Sequence, residues 1–373
     1  MKILLIKLFQ AGMAMLYAPL RCLPTNHKKV VFLSRQESTV NLDFRLLQHS
    51  LKKKKKDIKI VNICKRCDAG LKDHLIFAWC LLKSLYHIAT AKVCVLDTYW
   101  PAISMLKHKK ELTVIQLWHA MGKIKQSGYQ ALGKEGGRDR RMAEAMAMHK
   151  NYDIVIAGGE AWNPFYCQSF GVEEEVLLNC GLPRMDYLLQ MENKTREKIL
   201  KEYPEFLEKT VLLYAPTFRR GWEAHWEELA ECIDFDRYIL ILKSHPNQKL
   251  DKVAKEVYTC DEFKAVDLLT VCDYLITDYS AIAVEGAVLN RKTYYYVYDY
   301  EEYDKKNGLN INLFETMPGC VFKHAADLKK VLEEETYPQE RLDEYRKKYL
   351  PKQLGVSTKT ISNTIIEKMG KKQ

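Results

Sequence analysis

The chain has 373 residues, 47% of them hydrophobic, which is too long for one ordinary core and too apolar for a disordered chain. No fixed-period self-similarity points to a collagen, a coiled coil or a repeat array. Net charge is +10 but unevenly spread: residues 1–150 carry 28 Lys and Arg against 10 Asp and Glu, and residues 151–373 carry 30 against 38. A basic first half calls for an anionic partner, which leaves nucleic acid, an anionic membrane face or a phosphorylated substrate. Nucleic acid is the weakest of these, because no nucleic-acid-binding motif accompanies the charge. The eleven cysteines are scattered and odd in number, a pattern of reduced thiols rather than a disulfide framework. Cys64 and Cys67 form one CxxC without the second pair that a structural zinc site needs, so no metal is expected.

The amino terminus, MKILLIKLFQAGMAMLYAPLRCLP, is apolar but interrupted by Lys7 and Gln10 and closed by Pro19. It falls short of a clean spanning helix and lacks a persuasive cleavage site. It reads as an amphipathic helix in the membrane interface, with Lys2, Lys7 and Arg21 near lipid phosphates; a first core helix is the competing reading. Next come expected strands at 30–34 and 58–64, with the lysine run 52–56 between them reading as a solvated helix end. In the segment 74–91, Leu75, Trp79, Leu82 and Tyr86 stand at helical spacing and read by default as a core face.

Further continuous apolar runs follow at 92–97, 112–118, 153–158 and 176–181, then at 210–216, 238–244, 273–278 and 293–299. Such runs, separated by helix-length segments, predict parallel sheets covered on both faces, an α/β fold. The polar stretch 191–210 divides them. The expected organisation is therefore a membrane-interface segment 1–27, a first domain 28–195, a second domain 196–350 and a carboxyl-terminal helix 351–373. Two Rossmann-like domains facing a central cleft would bind ligand at the carboxyl ends of their strands.

Four stretches stand at such strand ends. QLWHAMGKIKQSGYQ (116–130) places His119 after a strand, before Gly122, Lys123 and Lys125. YAPTFRRGW (214–222) supplies Thr217, Arg219 and Arg220. LKSHPN supplies Ser244 and His245. LITDYSAIAVEGA (275–287) supplies Thr277, Asp278 and Ser280 before a helix. Each has a structural reading when taken alone: a half-buried histidine, solvated arginines, a Ser-His-Pro turn, a capped helix. Together they suit holding a diphosphate and moving a proton. No Walker sequence, no G-x-G-x-x-G and no carboxylate cluster for a divalent metal occurs, so side chains and helix ends would meet the phosphate charge.

In order, QLWHAMGKIKQSGY, LYAPTFR, KSHPN, the long stretch from LLTVCDYLITDYSAIAVEGA to YVYDYEEY, and MPGCVF resemble the signature of the CDP-glycerol glycerophosphotransferases, over roughly residues 28–350. The resemblance implies a GT-B fold and teichoic acid synthesis. It further implies transfer of glycerol phosphate from CDP-glycerol to a hydroxyl of an undecaprenyl-diphosphate-linked glycan acceptor, with release of CMP and no cofactor. The setting would be peripheral, at the cytoplasmic face of a bacterial membrane with an anionic surface. The family's Trp-His motif falls on Trp118 and His119, implying a base role for His119; its His-Pro motif falls on His245 and Pro246, implying that His245 neutralises donor phosphates. Gly122, Thr217, Arg219, Ser244, Thr277, Asp278, Ser280 and Glu285 complete the implied substrate-binding set. Ala281 stands where the family has a second serine, Glu285 where it often has aspartate, Phe218 for a tryptophan and Arg220 for an acid. The form of the His119 stretch looks like primase-type members that add a first unit. A chain-extending polymerase and a ribitol-phosphate transferase share the chemistry. A nucleotide-sugar glycosyltransferase of the same architecture, or a non-catalytic membrane scaffold, are the readings from other classes.

Overall fold

A computed structural model of the protein describes residues 2–66, 70–217, 219, 225–244 and 254–371. They divide into two compact units, one of residues 1–121, 127–184 and 356–373, the other of residues 122–126 and 185–355.

The first unit carries helix α1 (Lys2–Leu20), strand β1 (Asn26–Ser34), helix α2 (Leu42–Lys54), strand β2 (Lys59–Cys64), helix α3 (Leu71–Thr90) and strands β3 (Ala91–Leu96), β4 (Thr113–Gln116), β5 (Ile154–Ala157) and β6 (Leu177–Asn179). The six strands form one parallel sheet in the order β2-β1-β3-β4-β5-β6. All six residues of β3 are buried, as a strand covered on both faces requires. The Asn41 side chain accepts from the Phe44 N–H to cap α2, and Lys52, Lys53 and Lys54 close its last turn, where cations meet the negative helix end. The helix Ser357–Gly370 returns to this unit rather than standing apart, because Ile361, Ile365 and Met369 make one buried stripe. It packs on α2 and β3.

The second unit is built on β7 (Thr210–Tyr214), β8 (Tyr238–Leu242), β9 (Val257–Tyr258), β10 (Tyr274–Thr277), β11 (Lys292–Tyr296) and β12 (Val321–Phe322). They form a parallel sheet in the order β12-β11-β10-β7-β8-β9. Its core joins Val211, Leu213, Ile239, Ile241 and Leu275 to Leu188 and Ile199. Those last two residues lie on the helix Pro183–Glu202, so this unit begins at Met185, about a helical turn and a half before the polar stretch that marks the expected break.

Both sheets have a topological switch point. In the first unit the chain leaves β1 for β2 on one side and returns to β3 on the other; in the second it leaves β7 for β8 and β9, then returns to β10. Open parallel sheets bind ligands outside the strand carboxyl ends at such a point.

The outer surface of the first unit departs from expectation in two ways. Helix α1 runs through Pro19 and is long and apolar enough, by length and composition, to cross a membrane. Its buried residues are Met13 and Tyr17, while Gln10 Nε2 donates to the Met105 carbonyl and the Tyr17 hydroxyl meets His108 Nδ1. Leu4, Leu5, Leu8, Phe9, Met15 and Leu16 face outward. On α3, which packs against α1, the residues read as a core stripe are the exposed ones: Leu75, Trp79, Leu82 and Tyr86. The buried face is instead Leu81, Ser84, Leu85 and Ile88. A helix apolar on both sides gives periodicity no means of choosing the inner face.

Candidate active site

At the first switch point the strand ends converge on one buried carboxylate. Asp97 directly follows β3 and is 3% exposed. Ser34 Oγ, at the end of β1, donates to Asp97 Oδ2 at 2.6 Å; Asn41 Nδ2 donates to the same oxygen at 2.8 Å, and Thr98 Oγ1 to Oδ1 at 3.0 Å. Burial nonetheless pushes the Asp97 carboxyl up to about 6, against the lowering effect of the Ser34 and Thr98 bonds. Because the folded state holds this proton more tightly than the unfolded chain, the associated stability is complete below about pH 4 and lost as pH rises through about 6. Compared with Asp97→Asn, the wild-type protein should therefore lose about 3 kcal/mol of relative stability between pH 4 and pH 7. Denaturant titrations of both proteins across that range check this; parallel stability curves would contradict it.

His119 stands beside this network, exposed, in the loop after β4. Its Nδ1 lies 3.3 Å from the Asp97 main-chain oxygen and 3.0 Å from the Gln36 side-chain amide. A backbone carbonyl only accepts, so a hydrogen bond to the Asp97 oxygen needs the proton on Nδ1, whereas the Gln36 Nε2 at 3.0 Å would donate to a bare Nδ1. For Nδ1 to donate to Asp97, the Gln36 amide must turn to present its oxygen in place of Nε2. Gln116, fully buried, ties the loop from below: its Oε1 accepts from the Trp118 N–H at 2.9 Å and its Nε2 donates to the Thr98 carbonyl at 3.1 Å.

The loop turns at Trp118, whose φ is +61°. Left-handed backbone costs a bulky residue free energy and persists only where surroundings enforce it. Here the Trp118 ring lies 4.2 Å from the His119 ring and packs edge-on to His149 and Phe170. The Tyr166 hydroxyl donates to the Ala120 and Met121 carbonyls, both at 3.0 Å. A Cβ on Gly158 would sit 2.4 Å from the Met121 oxygen, so only glycine lets β5 approach this loop.

At the second switch point a buried acid again follows a strand. Asp278 is 0% exposed. It accepts from the Thr217 N–H at 2.9 and 3.0 Å and from Arg219 Nη1 at 2.6 Å. Arg219 also grips Asp299 through Nε at 2.8 Å and Nη2 at 3.0 Å, and donates to the Thr217 carbonyl at 3.0 Å. Its guanidinium lies against the rings of Tyr298, Tyr303 and Tyr279. Burial opposes the charge, but the Asp278 and Asp299 carboxylates outweigh it and raise the pKa. With four donors engaged inside the protein, Arg219 frames the site. Thr277 does likewise, its Oγ1 donating to the Ala215 carbonyl at 2.7 Å.

Groups placed to meet a ligand here are others. Among the described residues, Thr217 Oγ1 is buried without a hydrogen-bond partner, which is costly unless something supplies one. Ser280 is half-buried, and its Oγ accepts from the Ile282 N–H at 3.5 Å. Gly122, buried, opens the segment 122–126 that zips onto 308–310: Asn310 N donates to the Ile124 carbonyl and Gln126 N to the Gly308 carbonyl, and Asn310 Nδ2 reaches the Lys123 and Lys125 carbonyls. This places Lys125 beside the Asp278–Arg219 pair. Burial lowers its pKa most; Asp278 opposes that and Arg219 adds to it. Ser244 is half-buried after β8, and Glu285 is buried in the helix Ile282–Val288. His245, Pro246, Phe218 and Arg220 lie outside the described residues, as does Cys67.

Sequence reasoning missed Asp97, Gln36, Gln116 and Asp299. For Asp97 a signal existed: like Asp278, it is an acid directly ending an apolar strand. Gln36 and Asp299 lie in loops and carry none.

The sequence profile of the CDP-glycerol:poly(glycerophosphate) glycerophosphotransferases matches residues 15–367. The chain belongs to this family. It is thus a transferase of the glycerophosphotransferase family, and the relatives it matches fit that membership. It is 30% identical to the teichoic acid ribitol-phosphate primase of Bacillus spizizenii over 92% of each chain. It is 31% identical to that organism's teichoic acid poly(ribitol-phosphate) polymerase over 88% of this chain, though it spans only 54% of the polymerase's length. A solved structure of the wall teichoic acid polymerase TagF superposes with a TM-score of 0.75 at 18% identity, covering 96% of this chain and 94% of that one. The glycerophosphotransferase fold here is accordingly GT-B-like, with two Rossmann-type units as expected.

Proposed function

We propose that the chain transfers glycerol phosphate from CDP-glycerol to a hydroxyl of an undecaprenyl-diphosphate-linked glycan, releasing CMP, in teichoic acid synthesis. The observation that supports this is the placement of the His119 imidazole after β4, with Nδ1 3.3 Å from the Asp97 main-chain oxygen. The acceptor hydroxyl gives its proton to Nε2 as its oxygen attacks the glycerol-bearing phosphorus, and the bond from that phosphorus to the CMP oxygen breaks. Lys125, Thr217, Ser280 and Ser244 of the second unit meet the diphosphate charge, together with His245.

Incubation with CDP-glycerol should give CMP only when a lipid-linked acceptor is present. Release of a nucleoside diphosphate instead would indicate attack on carbon by a glycosyltransferase. Lys125→Ala should raise KM for CDP-glycerol about 10- to 100-fold, the worth of a charge-assisted hydrogen bond, with a smaller change in kcat. An unchanged KM would remove Lys125 from the donor site.

A second reading, CDP-ribitol as donor and a primase role, is favoured by the ribitol-phosphate primase that matches along 92% of both chains. Competition between CDP-glycerol and CDP-ribitol for one acceptor separates the two donors.

The outward apolar faces of α1 and α3, within a basic first half, support peripheral attachment to the anionic cytoplasmic face of the membrane. Leu5→Asp with Trp79→Asp should abolish co-sedimentation with anionic vesicles and leave turnover of a water-soluble acceptor analogue intact. Undiminished sedimentation would place the lipid contact elsewhere.

A further inference from the structure

Asp97 spends a buried carboxylate at a place where nothing in the sheet requires one. Its three side-chain donors come from three separate segments: Ser34 from the end of β1, Asn41 from the cap of α2, and Thr98 from its own loop. They clamp the short turn after β3. What that turn presents on its other side is main chain: the Asp97 oxygen toward His119 Nδ1, and the Thr98 oxygen toward the Gln116 amide that holds Trp118. Both routes end on the Trp118–His119 pair. Two hydrogen-bonded paths from one carboxylate to one imidazole is more than packing needs, because an apolar residue of similar volume would fill the same space without the burial penalty.

We propose that Asp97 is a positioning residue: its carboxylate fixes the 97–98 turn so that the Asp97 carbonyl holds His119 as the Nδ1–H tautomer, aiming Nε2 for proton transfer. The proposal rests on the reading of His119 as the base, but the tautomer it predicts can be read without any turnover. The carboxylate neither touches substrate nor accepts the proton. It acts through geometry, so its loss removes correctly oriented base without weakening the donor site of the other unit. Gln36 reaches the same Nδ1 from the β1 side at 3.0 Å, and its amide must present oxygen there for Nδ1 to carry the proton.

The experiment compares wild type, Asp97→Asn and Ser34→Ala by steady-state kinetics and by ¹⁵N spectra of histidine-labelled protein, with His119 assigned through His119→Gln. Asp97→Asn is expected to lower kcat about tenfold or more with KM for CDP-glycerol within about twofold of wild type, while the His119 signals move from one Nδ1–H tautomer to a mixture. Ser34→Ala removes the 2.6 Å donor and should give a smaller loss of the same kind, which covers the case of Asp97→Asn failing to fold. A His119 tautomer unchanged in the folded variants, whatever their kcat, overturns the proposal. So does a fall in kcat matched by an equal rise in KM. If His119→Ala itself keeps wild-type turnover, the base assignment fails, yet a tautomer shift in Asp97→Asn still supports the positioning.

Discussion

Replacing His119 by alanine is expected to reduce turnover about a hundredfold or more, the usual worth of a positioned general base, with the melting temperature unchanged. The stability half of this expectation follows from exposure. The imidazole lies at the surface of its loop, and the bonds that hold the loop run through Gln116 and Tyr166 rather than through the imidazole. The kinetic half follows from the proposed role, in which Nδ1 donates to the Asp97 carbonyl and Nε2 takes the proton. A loss seen in kcat at saturating donor, with donor KM held, is the pattern of an interaction made only in the transition state. A variant with near-normal turnover would take His119 out of the mechanism.

The second large effect is on stability. Arg219→Ala should destabilise the second unit by about 3–5 kcal/mol, the cost of removing one partner from a buried ion pair. The reason lies in what remains. Asp278 is 0% exposed and would keep the Thr217 N–H, while Asp299 would keep the Tyr279 hydroxyl at 3.0 Å. Both carboxylates would lose the guanidinium that grips them, with Lys125 still near Asp278. Arg219→Lys should recover only part of the loss, because one ammonium cannot reproduce the fork that spans both acids. Chemical denaturation followed by tyrosine fluorescence, in a unit whose β11 is rich in that residue, reports the change. A loss below about 1 kcal/mol, the range of exposed pairs, would mean that the guanidinium is not the keystone of this site.

Much of this architecture was legible because burial on both faces writes itself into sequence. Runs such as VCVL in β3 and YILIL in β8 are continuous and apolar, and only a parallel sheet under helices accommodates them. Strands β9 and β12, two residues each, leave no such trace. The inner face of α3 was misread because its outer face carries Leu75, Trp79, Leu82 and Tyr86 and is also apolar. Within the site, the strand-end positions of His119 and Asp278 could be read from the chain, but their partners could not. Arg219 looked like a phosphate ligand until Asp299, 80 positions away, engaged it. Asp97 went unremarked because its importance depends on Ser34 and Asn41 meeting it across the sheet, a matter of strand order that periodicity does not encode.

The most direct test of the central claim is to incubate the purified protein with CDP-glycerol or CDP-ribitol and a synthetic undecaprenyl-diphosphate-linked glycan, then to weigh the lipid and identify the nucleotide. The account predicts a lipid heavier by one polyol phosphate or more, an equal quantity of CMP, and neither product from the His119→Ala protein. A lipid that gains a sugar, or a polyol phosphate transferred equally well without His119, would contradict it.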